Sequence, residues 1–165
     1  MAAGALVLLL GLSGCSRAPE VSVPPRAADA ACVAAAKAWP AAVAGQGVIA
    51  TSTDSPAVRA WGSPAVIARC GLEPLAPTTD PCVVVDGVDW VLRTLSDGAS
   101  ATTYGRDPAI EVLIPRAYAP EPLLLPAFGA AAAARARMRR AVSGGTSAGQ
   151  DSRTSPSARY LASKS

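Results

Sequence analysis

The chain opens on an apolar run, Ala5-Leu6-Val7-Leu8-Leu9-Leu10, and the pattern then divides into three stretches. The first is helix-like. Asp29 stands at an N-cap position before the Ala-rich residues 30–39, and Pro40 cannot continue the helix. Gly45 and Gly47 punctuate the chain, and the period then changes to two. Residues 48–52, 65–70, 82–85, 88–94, 99–104 and 109–114 read as strands. Asp86-Gly87 lies between two β-rich runs and predicts a type I′ hairpin, whose central positions need positive φ. Ser96-Asp97-Gly98 and Gly105-Arg106-Asp107-Pro108 predict further turns. The third stretch begins among Pro115, Pro120, Pro122 and Pro126, which break the β pattern.

Alternation assigns faces. Ile110, Val112 and Ile114 point one way, and Ala109, Glu111 and Leu113 the other. Trp90 and Leu92 share a face, with Asp89, Val91 and Arg93 opposite. One sheet face is therefore apolar and needs a cover. The helix near Cys32 and a second helix after Leu123 are the available covers. The expectation is an α+β fold, a small antiparallel sheet with one or two helices packed on one face.

The opening run ends in Leu12-Ser13-Gly14-Cys15, small residues before a cysteine, as at a lipoprotein cleavage site. The run is too short to span a bilayer, which takes about 20 apolar residues. No Lys or Arg precedes Cys15, so the true start is expected upstream of Met1. The organisation that follows is a signal peptide over residues 1–14 and a lipidated tether over 15–28. An α+β domain covers 29–125, an Ala/Arg-rich helix 126–142, and a disordered tail 143–165. Cys15 carries the lipid, and the protein faces outward from the cell membrane.

Charge is unevenly placed. Residues 135–165 hold seven basic and one acidic side chain, whereas residues 16–134 hold eight basic and eleven acidic. The basic balance therefore belongs to the C-terminal end, which argues against nucleic acid as a partner of the folded part. His is absent, which removes Ser-His and Cys-His nucleophile pairs and imidazole metal ligands. No cofactor or metal is expected. Cys32, Cys70 and Cys82 remain after Cys15. In an oxidising compartment a Cys70–Cys82 bridge is expected, since each ends an apolar run; chain entropy makes it worth about 3 kcal/mol. Cys32 is then a buried thiol or an intermolecular link.

The central strings are Ala60-Trp61-Gly62-Ser63-Pro64-Ala65, Arg69-Cys70-Gly71, Val85-Asp86-Gly87-Val88-Asp89-Trp90, and Thr102 through Ala109 with Glu111-Val112. In this order they resemble an actinobacterial lipoprotein family, domain of unknown function 3515, from about Asp29 to about Leu125. The resemblance implies an envelope lipoprotein or secreted protein and brings no activity with it.

Three readings of function follow. The first is a non-catalytic binding or accessory module, anchored in the membrane through its lipid and facing an envelope protein or cell-wall component. Its candidate contact residues are Arg69, Asp89, Tyr104, Arg106 and Glu111. Arg106 is the best placed, because a hairpin loop beside Gly105 exposes a side chain able to pair with carboxylate or phosphate. The bland counterpart is structural: Arg69 and Glu111 paired across strands, Asp89 capping a turn, Trp61 and Trp90 in the core. The second reading is a carboxylate-dependent hydrolase acting on cell wall through Asp86, Asp89, Asp107 or Glu111. A structural envelope protein linked through Cys32 is a third possibility.

Overall fold

The computed structural model describes residues 17–134. Eight strands carry most of the fold. They are β1 (Ala42–Val43), β2 (Gln46–Ile49), β3 (Val58–Trp61), β4 (Val66–Leu72), β5 (Cys82–Val85), β6 (Val88–Thr94), β7 (Gly98–Thr103) and β8 (Ala109–Pro115). Two short helices, α1 (Ala30–Ala36) and α2 (Gly129–Ala133), flank them in sequence, and a 3-10 stretch over Glu121–Phe128 leads into α2.

The sheet order is β1-β2-β3-β4-β8-β7-β6-β5, and every neighbouring pair is antiparallel. The fold is thus two four-strand meanders joined where β4 meets β8. The connection over residues 73–81 carries the chain from the centre of the sheet to its far edge. The sheet is larger than the small one expected, and two of its strands, β1 and β3, are absent from the sequence reading.

Local chemistry explains the turns. Asp86 and Gly87 have φ of 50° and 73°, the paired positive values of a type I′ turn, and Val85 pairs with Val88 across it. Ala44 and Gly45, at 49° and 74°, make a second two-residue turn between β1 and β2. Helix α1 stops at Ala36, short of the expected residue 39. Pro40 pushes Trp39 out of the helical region, and the Trp39 indole Nε1 turns inward to donate to the Pro56 carbonyl at 3.0 Å.

The core lies on the predicted face. Val66, Ala68 and Cys70 of β4 meet Ile110, Val112 and Ile114 of β8 in one buried cluster with Trp61 and Trp90. Cys32 and Ala35 of α1 and Ala131 and Ala132 of α2 join that cluster, as do Leu124, Leu125 and Phe128 before α2. Both helices therefore pack on the same sheet face. Trp39, Trp61 and Phe128 form a triangle of edge-to-face contacts with centroids 5.5–6.5 Å apart. The domain accordingly extends past residue 125, and the first part of the expected 126–142 helix belongs to the core. The Arg-rich part of that segment, the tail expected over 143–165, and the signal peptide expected over 1–14 with Cys15 lie outside the described residues.

The cysteine pairing differs from the expected one. Cys32 on α1 is bonded to Cys70 on β4, with Cα atoms 5.5 Å apart, and Cys82 is an exposed free thiol. Topology forbids Cys70–Cys82. Four strand spacings separate β4 from β5, about 19 Å, whereas a disulfide needs Cα atoms within about 7 Å. Cys32 is therefore neither a spare thiol nor available for an intermolecular link.

Candidate functional site

Register places four of the five candidate residues on the sheet face opposite the helices. Arg69 pairs with Glu111, Glu111 with Thr102, and Thr102 with Val91, which makes one row across the sheet. Asp89 precedes Val91 by two positions and Tyr104 follows Thr102 by two, so both share that face. The Tyr104 N–H donates to the Asp89 carbonyl at 2.8 Å. Asp89 is exposed and Tyr104 is half-buried.

Arg69 and Glu111 are an ion pair. The Arg69 Nε and Nη2 both reach Glu111 Oε2 at 2.6 Å, with both side chains largely covered. Arg69 Nη1 also donates to the Ser22 hydroxyl at 2.7 Å. The pair thus has structural work: it ties β4 to β8 and holds the N-terminal segment.

Arg106 departs from expectation. It is 5% exposed, a buried residue rather than a presented one. Gly105, with φ of 65°, turns the loop so that Arg106 is tucked inward and Asp107 outward. The base of this hairpin is closed by Thr103, whose hydroxyl accepts the Ile110 N–H at 3.0 Å. Arg106 is removed from the candidate contact surface.

The segment read as a tether is docked against the domain from Pro19 onward. The Ser52 N–H donates to the Pro19 carbonyl at 3.1 Å, and the Val21 N–H donates to the Ser52 hydroxyl at 2.8 Å. Further along, Pro24 is buried, and the Arg26 N–H donates to the Gly71 carbonyl at 3.1 Å. Gly71 sits at a bulge in β4 with φ of 117°, and a side chain there would collide with the backbone of Arg26 and Ala27. The segment carries too few large apolar groups to advertise burial. Backbone hydrogen bonds and two arginines hold it instead.

Arg26 is the polar centre that sequence reasoning missed. Its guanidinium pairs with Asp107 and with Asp29, and lies 3.6 Å from Glu73. Hydrogen bonds to Asp107 and then Asp29 push its pKa further up. Asp29 is consequently engaged with Arg26 and does not cap α1 through its side chain. The i,i+3 spacing of Arg26 and Asp29 was the one local signal; the approach of Asp107 depends on the fold.

Among the described residues, no group of three or more His, Cys, Asp or Glu is arranged to hold a metal ion. No described helix is long and apolar enough to cross a membrane. Two adjoining grooves mark one end of the sheet. One, of about 320 Å³, is lined by Arg17, Ile49, Gly62, Ser63 and Ala65 among others. The other shares Ala65 and adds Ile67, Leu95 and Leu113.

Fold and site define a disulfide-stapled, sheet-dominated domain with helices on one face and a polar, ion-paired opposite face. The chain belongs to the family described as protein of unknown function (DUF3515), which matches residues 7–140. That match reaches beyond the expected 29–125 span of the resemblance on both sides. It takes in the docked segment and α2. No curated protein and no solved structure matches the chain.

Proposed function

We propose that this protein is a membrane-anchored lipoprotein of the cell envelope, working as a non-catalytic binding or accessory module. The observation that carries the anchored reading is Leu12-Ser13-Gly14-Cys15 at the end of a short apolar run. The buried Cys32–Cys70 bond supports an oxidising compartment outside the cytoplasm. The contact surface is the exposed part of the helix-free face, around Asp89 and Tyr104. Three of the carboxylates that a hydrolase would use have structural duties: Glu111 pairs with Arg69, Asp107 with Arg26, and Asp86 forms a tight turn. This favours binding over chemistry.

Two measurements test the proposal. Cys15→Ser, expressed with a complete signal peptide, is expected to lose lipid labelling and leave the membrane fraction. Retention in the membrane as full as the parent's refutes anchoring through Cys15. Crosslinking and recovery of partners from envelopes is expected to fall for Asp89→Ala and Tyr104→Ala at unchanged melting temperature. Undiminished recovery from both variants refutes the assigned surface.

A further inference from the structure

The docked N-terminal segment has a geometric consequence for an anchored protein. It runs from Arg17, beside Gly62, Ser63 and Ala65, to Arg26, beside Gly71 and Asp107. Those two places lie at opposite ends of β4. The strand from Val66 to Leu72 is about 20 Å long at 3.3 Å per residue. Only Ser16 separates Cys15 from Arg17 in the sequence. From Pro19, where the first hydrogen bond holds the segment, four residues of extended chain reach about 14 Å back to Cys15. The anchor point therefore cannot stray far from the Arg17 end, and the Asp107 end is out of its reach.

The Arg17 end also has suitable chemistry. Leu95 is 38% exposed there, and Ile67 and Leu113 are half-buried in the adjoining groove. Arg17 is exposed and lines the neighbouring groove, while the exposed Asp97 lines the groove of Leu95. Apolar groups backed by an arginine fit the boundary between acyl chains and phosphate headgroups.

We infer that the Arg17–Leu95 end of the sheet docks on the bilayer surface, with Leu95 at the acyl boundary and Arg17 at the phosphates, so that the Tyr104–Asp107 hairpin projects away from the membrane. This rests on the lipoprotein reading above. The partner is the lipid surface itself. The short, pinned connection converts an anchor into an orientation, and it presents the Asp89 and Tyr104 region outward.

The test uses the full-length lipidated protein in phosphatidylglycerol-containing vesicles, in a Cys82→Ser background. An environment-sensitive fluorophore is attached at Leu95→Cys or at Tyr104→Cys, and nitroxide-labelled lipids act as quenchers. Arg17→Cys repeats the proximal measurement should Leu95→Cys fail to fold. Quenching is expected at the proximal position and none at Tyr104→Cys. Equal quenching at both ends, or none at either, in protein that floats with the vesicles overturns the orientation alone. Failure of the lipid-labelled parent to float overturns the anchored reading and the orientation with it. A Gly-Ser linker inserted between Ser16 and Arg17 is expected to preserve flotation and reduce proximal quenching. Unchanged quenching overturns the role of the short connection.

Discussion

Removing the Cys32–Cys70 bridge is the most direct test of the fold. The bond closes a loop of 38 residues between α1 and β4. Chain entropy alone makes such a loop worth about 4 kcal/mol. Both cysteines are fully buried, so replacing them with Ala also removes packed sulfur, at a further cost of about 1 kcal/mol. The expected loss is about 5 kcal/mol, a large share of the 5–15 kcal/mol typical of a domain. The variant Cys32→Ala/Cys70→Ala should therefore unfold at much lower urea. Trp39, Trp61 and Trp90 are all buried, so their emission reports the transition. The slope of the transition should steepen as well, since the unfolded chain expands without its crosslink. Energy alone does not identify the pairing, because a Cys70–Cys82 loop would be worth about 3 kcal/mol. Cysteine identity does. Cys82→Ser should leave the midpoint unchanged, and peptide mapping without reduction should join Cys32 to Cys70. A Cys82→Ser loss as large as that of the double variant refutes the assignment.

Gly71→Ala should lower the melting temperature sharply, with a cost of at least about 2 kcal/mol, because φ of 117° is strained for Ala and its Cβ meets the docked backbone. A melt within a degree of the parent's contradicts the docked segment. Arg106→Ala should cost about 2 kcal/mol in urea unfolding, the behaviour of a buried rather than a surface residue. An effect under about 0.5 kcal/mol returns Arg106 to the surface. Asp80 should titrate below its ordinary 3.8, since hydrogen bonds from Arg93 and Thr78 favour its charged form. Its folded pKa is depressed, so its stabilising contribution is complete above about 3.8 and is lost as pH falls through the folded value. Carboxyl NMR on Arg93→Ala should show the Asp80 midpoint rising; no movement refutes the pairing.

Local chemistry was legible where it was strong. The strands at 82–85 and 88–94 appear at their expected bounds because Asp86-Gly87 names its turn type. The equivalent turn between β1 and β2 uses Ala44-Gly45, and Ala carries no left-handed preference, so the hairpin was invisible. β3 was missed because Val58, Ala60 and Trp61 are all buried, which erases the two-residue alternation. The inner face of β8 was legible for the opposite reason: Glu111 and the half-buried Leu113 alternate with three fully covered residues.

The site was less legible, and topology explains the loss. Cys70 and Cys82 are neighbours in sequence but belong to strands four spacings apart, because the chain crosses from the sheet centre to its edge between them. The same crossover and the β4–β8 pairing at its start set Arg69 opposite Glu111, and that contact was foreseen only as the unremarkable alternative to a binding site. Arg26 shows the limit most clearly. Its partners are Asp29, three residues on, and Asp107, brought in by the hairpin that follows β7. A proline-rich segment with few large apolar groups resembles a linker in composition. It becomes structure here because a bulge at Gly71 leaves room for its backbone and two arginines supply polar anchors. What composition assigned to reach therefore serves position. The residues expected to act as a spacer instead pack against the domain, from Pro19 at Ser52 to Arg26 at Gly71.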